Sequence, residues 1–220
     1  MRFFIIGVQG QIKKEVIVME KRKFDISSVG LHIFAMIFML MDHMWATVFT
    51  NAQWLTQVGR LAFPIFAFMI VEGYTHTKNL KKYVLRLLIF AVITEIPFNL
   101  MVSNRVSYYP HQNVLWTFLI SIGLIHLNEL ARKKNKIWLT LITMVGTSVL
   151  GYFIGYITFV DYNGGGILMV LLFYFFRGRK WWCFLGQLAG LYYINVELLQ
   201  GLCFEVESFT SDAVGGTAMR

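Results

Sequence analysis

Seven apolar stretches follow one another along this chain with only short polar breaks between them: Val29–Phe49, Val58–His76, Tyr83–Val102, Val114–Leu130, Ile137–Val160, Gly165–Phe176 and Trp181–Phe204. In hydrocarbon only helices and closed barrels satisfy every backbone polar group, and stretches of this length read as helices. The first five have the roughly 17–25 residues that cross a bilayer as a helix. Gly165–Phe176 is shorter, which leaves three options: tilt into a local thinning, extension back into Asp161–Gly164, or a re-entrant path. Trp181–Phe204 is interrupted by Asn195 and Glu197. Only 15% of the chain is charged, against about 25% in a soluble domain. The expected fold is an all-α integral membrane protein, a polytopic bundle of six to seven transmembrane helices. Residues 1–28 are expected to form a basic cytosolic segment, 29–204 the membrane domain and 205–220 a polar, disordered tail. Met19-Glu-Lys-Arg-Lys resembles an ordinary cytosolic start, so residues 1–18 are expected to be an upstream extension. Their apolar core, Phe3–Val8, is too short for a signal peptide.

Basic residues set the orientation. Of the twenty Lys and Arg, seventeen fall on one side when the breaks are assigned alternately; Arg60, Arg105 and Arg220 fall on the other. The positive-inside rule then puts the N-terminus in the cytosol. A solvated rim attracted to anionic lipid accounts for the net charge of +8 without any nucleic acid partner. The expected location is the cell (plasma) membrane, multi-pass and bacterial.

Within this frame the polar residues inside the spans stand out. Asp42 and His43 sit side by side in the first span, where a carboxylate at mid-bilayer costs roughly 2.5–3.5 kcal/mol. His43 is fourteen residues past Val29, about 21 Å along a helix, and so in the outer half. Arg60, Glu95, Asn99, Asn113, Thr117 and the Asp161-Tyr162 pair fall at the same depth, so that these groups are expected to converge on one outward-facing cavity. Glu72, His76 and His126 make a looser inner set. Bland alternatives stand beside each: a snorkelling Arg60, and interhelical hydrogen bonding by Asn99 and Asn113. Pro64 and Pro97 are expected to free the carbonyls of Arg60 and Ile93 near the cavity. Gly151-Tyr-Phe-Ile-Gly155 and Gly186-Gln-Leu-Ala-Gly190 have the spacing of close helix packing. Gly164-Gly-Gly166 lacks the Gly-Lys-Ser/Thr ending of a phosphate loop and reads as a turn. There is no zinc spacing, and no metal is expected. Cys183 and Cys203 are about 30 Å apart on one continuous helix, too far for a disulfide.

Several ordered motifs carry a family resemblance. They are Leu40-Met-Asp-His-Met-Trp45, Gly59-Arg-Leu-Ala-Phe-Pro-Ile-Phe-Ala-Phe68 with Glu72-Gly-Tyr-Thr-His-Thr77, Lys82-Tyr-Val-Leu-Arg-Leu-Leu88, Thr94-Glu-Ile-Pro-Phe-Asn99, Asn113-Val-Leu-Trp-Thr117, and Asp161-Tyr with Gly166-Ile-Leu. Together they resemble the TraX family of membrane proteins, named for a conjugation protein linked to N-terminal acetylation of pilin. The match runs from about Ile26 to Arg177. The family is also similar to the wider membrane acyltransferases.

The resemblance implies acyl transfer from cytosolic acetyl-CoA or another acyl-CoA to an outer acceptor amine or hydroxyl, such as a pilin-like N-terminus, a small molecule or a glycan. In that scheme His43 is the general base or transient acyl carrier, and Asp42 orients it. Arg60 stabilises the oxyanion or grips donor phosphate, and Glu95 positions the acceptor. Asn99, Asn113, Thr117, Asp161 and Tyr162 line the substrate site, while Glu72 lines a path from the cytosol. The sequence departs from the family after Phe204, where another apolar segment and an aromatic-Tyr-Pro-x-His-Leu type motif are expected. Two other functions remain open at this stage: a non-enzymatic membrane accessory or assembly factor for conjugation or surface structures, and a proton-coupled transporter, against which the lack of an inverted repeat counts.

The orientation is directly testable. Single cysteines in Asn51–Gln57 and Asn104–Gln112 are expected to react with an impermeant thiol reagent in intact cells. Cysteines in Thr77–Lys82 and Arg132–Lys136 are expected to be protected. Labelling of the Arg132–Lys136 loop from outside overturns the assignment.

Overall fold

The computed structural model describes residues 27–49, 51–106 and 110–198. The expectations for the N-terminal extension, the end of the last stretch with Cys203, and the 205–220 tail lie outside the described residues. The chain divides into two units, residues 1–34 and 35–220, and of the first the described residues are the opening turns of one helix. Helices follow as α1 (Ser28–Thr47), α2 (Gln53–Gly59), α3 (Ala62–His76), α4 (Leu80–Ser103), α5 (Val114–Arg132), α6 (Ile137–Ile157), α7 (Asn163–Phe175) and α8 (Trp181–Tyr193), then a π-helical turn at Ile194–Leu198. Counting α2 and α3 together, five are long and apolar enough to cross a membrane. The protein is thus a polytopic helical membrane protein, as its hydropathy pattern predicts. The β pairing seen among the described residues is one isolated bridge between Gln112 and Val160.

Local chemistry sets the helix ends. Asn79 caps α4, its side chain accepting from Lys82 N–H at 3.0 Å. Asn104 closes the same helix in the left-handed conformation at φ 55°, where asparagine is tolerated better than most residues. Asn113 caps α5 by accepting from Leu115 N–H at 3.0 Å.

The second apolar stretch is two helices rather than one, parted at Arg60-Leu61. Pro64 lies in the first turn of α3, where its missing N–H leaves no intrahelical bond unmade. The Arg60 carbonyl, expected to be freed, accepts instead from Phe63 N–H at 3.2 Å. Pro97 does lie inside its helix, α4.

The shortest of the apolar stretches becomes the centre of the fold. At 13 residues, α7 is about 20 Å long and cannot by itself cross about 30 Å of hydrocarbon. Ile167, Met169, Val170 and Leu171 are fully buried, with α3, α5, α6 and α8 packed around them. Phe63, Ala67 and Val71 of α3 and Phe118 and Ile125 of α5 complete that core. The other long helices keep broad apolar faces outward, such as Trp138, Leu141, Ile142 and Val145 on α6; in a bilayer these meet lipid tails. Gly164–Gly166, expected as a turn, instead form the buried first turn of α7. The chain reaches that point through backbone that favours glycine, yet it carries Phe159, Tyr162 and Asn163 at φ 52°, 62° and 47°. Each left-handed aromatic costs of order 1–3 kcal/mol and persists because packing over-determines it. In the last stretch Asn195, an expected interruption, is fully buried where α8 gives way to the π turn.

The Gly151…Gly155 face of α6 is the seat of α7, as the small-residue spacing predicts. A Cβ on Gly155 would lie 2.6 Å from the Gly164 Cα, backbone that cannot rotate away. Gly155→Leu is therefore expected to lower stability by about 1–3 kcal/mol or more, measured by thermal denaturation in detergent. Gly146, with open space around its Cβ position, serves as control: Gly146→Ala should be neutral or mildly stabilising.

Candidate functional site

The C-terminal half of α1, the α2–α3 break, the N-terminus of α5 and the α6–α7 turn meet at one end of the bundle. Asp42 is half-buried on α1, and its Oδ1 accepts from the Thr56 hydroxyl of α2 at 2.6 Å. The close approach is made possible by Gly59, where a Cβ would sit 2.6 Å from the Asp42 N. Asp42 does not hydrogen-bond His43. Neighbouring residues on a helix point about 100° apart, so a side-by-side pair cannot face each other. The half-buried His43 imidazole has no hydrogen-bond partner among the described residues, and its peptide carbonyl accepts from Thr47.

Across from this pair, the α6–α7 turn is held by backbone. Gln112 N–H donates to the Phe159 carbonyl at 2.9 Å, and Asp161 N–H donates to the Gln112 carbonyl at 3.1 Å. The Thr117 hydroxyl donates to the Asp161 carbonyl at 2.8 Å, and Tyr162 N–H to the Asp161 carboxylate at 3.1 Å. Tyr162 stacks on Phe63 with ring centroids 3.9 Å apart, which turns Thr117 and Tyr162 into supports of the turn. Burial pushes the Asp161 carboxyl up to about 7; the nearby Asp42 carboxylate adds to this, while the Tyr162 N–H and the Arg60 guanidinium oppose it. Asp42, Arg60 and Asp161 therefore form one electrostatic group.

Glu95 of α4 organises the third side. Its Oε2 accepts from Asn113 Nδ2 at 2.7 Å, Trp116 Nε1 at 3.0 Å and Asn113 N–H at 3.3 Å. Its Oε1 is buried with no hydrogen-bond partner among the described residues, as are the Nε1 of Trp45 on α1 and the Oδ1 of Asn99. Buried polar atoms without partners are uncommon and call for an explanation. Asn99 is buried and donates to the Val106 carbonyl at 3.3 Å, which makes it a brace of the α4–α5 loop.

One residue of this cluster escapes sequence reasoning. His111 Nε2 lies 3.6 Å from Asp161 Oδ1, and its ring stacks on Phe98 at 5.4 Å. Burial pulls its pKa below the usual histidine value, with the Glu95 carboxylate working against that. His111 stands in a polar loop rather than an apolar run, so intramembrane cost does not single it out; its place two residues before the Asn113 cap is the available signal.

Glu72 belongs elsewhere. It sits near the far end of α3, bound to Arg177 at 2.7 and 3.4 Å and to His76 at 3.4 Å. About 22 Å of α3 separates its two ends, and the apolar core of Phe63, Ala67, Val71, Phe118 and Ile125 lies between them. The inner set therefore does not join the outer cluster. At that far end a cavity of about 530 Å³ is lined by residues that include Tyr74, His126, Glu129 and Arg177.

Over 112 residues the chain is 36% identical to a protein of Dichelobacter nodosus described as "Probable fimbrial assembly protein FimC, serogroup H1", a match covering 46% of this chain and 46% of that protein. The match thus spans about half the length of the curated relative. No solved structure matches. The TraX protein family matches over residues 27–211, most of the chain and every element that builds the polar cluster, and the protein belongs to that family.

Proposed function

We propose that the protein is a membrane-embedded acyltransferase that moves an acetyl or other acyl group from an acyl-CoA to an acceptor amine or hydroxyl at the Asp42–Asp161 end of the bundle. The observation that carries this is the gathering of three carboxyls, one guanidinium and the His111 imidazole at one end of an apolar bundle, with the buried Glu95 Oε1 lacking a hydrogen-bond partner among the described residues. A protonated or N–H-bearing acceptor is the natural partner of that oxygen. In the reaction the acceptor's N or O attacks the thioester carbonyl, a C–N or C–O bond forms, and the C–S bond breaks. His43, whose ring has no hydrogen-bond partner among the described residues, takes the acceptor's proton; the leaving thiolate is protonated from solvent. Arg60 stabilises the tetrahedral oxyanion. Asp42, fixed by Thr56, acts through the field of the cluster rather than by a direct bond to His43. Membership of the TraX family supports a link to conjugation or pilus biogenesis, with a pilin-like N-terminus among the acceptors.

A second function, a non-enzymatic membrane factor for fimbrial or pilus assembly, is favoured by the description of the Dichelobacter nodosus relative. The two part on catalysis. His43→Ala and Asp42→Asn are expected to insert and express normally while lowering acyl transfer from labelled acetyl-CoA by at least about 100-fold for His43. Normal transfer by well-expressed His43→Ala removes the catalytic assignment, and absence of transfer by the wild type favours the assembly factor.

Asp161 gives a pH signature for the cluster. Its carboxyl rises from 3.8 to about 7 in the folded protein. The folded state holds a proton that the unfolded chain releases, so this contribution to stability is complete below the unfolded pKa and is lost as pH rises through the folded value. The thermal midpoint of the wild type should fall between about pH 5 and 7 relative to Asp161→Asn, and the two curves should run parallel above about pH 8. Parallel curves throughout would show that Asp161 is not held protonated.

A further inference from the structure

The cavity of about 530 Å³ at the far end of α3, α5 and α7 is not used by the chemistry described so far. Its volume lies within the roughly 300–1,000 Å³ of small-molecule sites. Its walls are ordered by their own hydrogen bonds. The Tyr74 hydroxyl meets His126 Nδ1 at 3.2 Å, and the Tyr174 hydroxyl donates to Glu129 Oε1 at 2.8 Å. These bonds hold two phenol rings in the cavity wall beside Phe175, within a lining that is otherwise mostly polar.

The mouth is cationic. Arg177 is braced by two hydrogen bonds from its guanidinium to Glu72, which orients it at the cavity it lines. Arg132 lies 3.5 Å from Glu129 but is 68% exposed, and Lys133 has no ion-pair partner among the described residues. A second cavity of about 320 Å³ also has Arg132 in its wall and adds Lys136. Cations at helix C-termini are ordinary complements of the dipole, and the ends of α3, α5 and α7 account for part of this charge. That account does not require two fixed tyrosine hydroxyls, a braced guanidinium and adjoining cavities that share one arginine.

We propose that this cavity binds a nucleotide carrying more than one phosphate, its base against the Tyr74 and Tyr174 walls and its phosphates on Arg132, Lys133 and Arg177. Identifying that nucleotide with the phosphorylated end of the acyl donor rests on the acyl-transfer function proposed above; nucleotide binding itself does not. Because the apolar core lies between this cavity and the Asp42 cluster, a donor whose nucleotide sits here has to pass its thioester-bearing arm between helices to reach that cluster. Arg60 is then released from phosphate binding and left to the oxyanion.

The test uses the full-length protein in detergent and in nanodiscs, with adenosine 3′,5′-bisphosphate and inorganic pyrophosphate as probes. The wild type is expected to bind the bisphosphate more tightly than pyrophosphate. The double variant Arg132→Ala/Lys133→Ala should weaken both by at least tenfold. Tyr174→Leu should weaken only the nucleotide, while Tyr174→Phe, which keeps the ring, should rescue it. Lys81→Ala, a rim cation outside the cavity, should bind normally. Equal loss with Lys81→Ala, or no binding by the wild type, overturns the proposal. So does competition by anionic phosphatidylglycerol nanodiscs as strong as by the nucleotide, which would assign the cations to lipid headgroups. Thermal melting of each variant separates lost binding from lost folding. The two functional claims fail separately: Asp42→Asn should still bind nucleotide, and acyl transfer insensitive to Arg132→Ala/Lys133→Ala would leave the enzyme standing without this site.

Discussion

The contact between α6 and α7 at Gly155 and Gly164 is the constraint on which the rest of this protein depends. Two backbones meet where neither residue can carry a Cβ, which lets a helix too short to span the bilayer sink into the middle of the bundle. Once α7 is central, α3 and α5 have a partner for Phe63, Val71, Phe118 and Ile125, and the long lipid-facing helices have something to surround. Close approach of small residues is the main way helices gain packing energy in lipid, where burial of apolar surface drives no association.

The same contact shapes the chemistry. Drawing α7 inward obliges the chain to turn through Phe159, Tyr162 and Asn163 in left-handed conformations, and that turn carries Asp161 into the polar cluster. Strain of this kind survives because Tyr162 is stacked on Phe63 and the backbone is bridged to Gln112. The cluster is thus anchored to the core by an aromatic stack, and its carboxyls are held near a guanidinium in surroundings dry enough to raise a pKa. Among the described residues, three buried atoms at this end, Glu95 Oε1, Asn99 Oδ1 and Trp45 Nε1, lack a hydrogen-bond partner.

The molecule also separates its two polar ends. The outer cluster gathers carboxyls and imidazoles, the other end gathers arginine, lysine and tyrosine, and a closed apolar core stands between them.

Much of this was legible in the residues. Hydropathy marked the helices to within a few positions, because a span must match the bilayer and end where polar residues reach its surface. The cost of burying charge singled out Asp42, Arg60, Glu95 and Asp161, and helix rise placed them at a common depth. Other features needed the folded chain. Spacing cannot show that Asp42 bonds Thr56 instead of His43, since that depends on how closely α2 approaches α1 at Gly59. His111 carries no mark of its own in a polar loop and acquires a role only when the α6–α7 turn brings Asp161 to it. Nor could Gly165–Phe176 be read as the hub: its length suggested a marginal span, and only the surrounding helices made it the best buried. Sequence determines which groups must leave water and at what depth, because those are properties of each segment alone; tertiary structure decides which of them meet, because that depends on the faces of several helices at once.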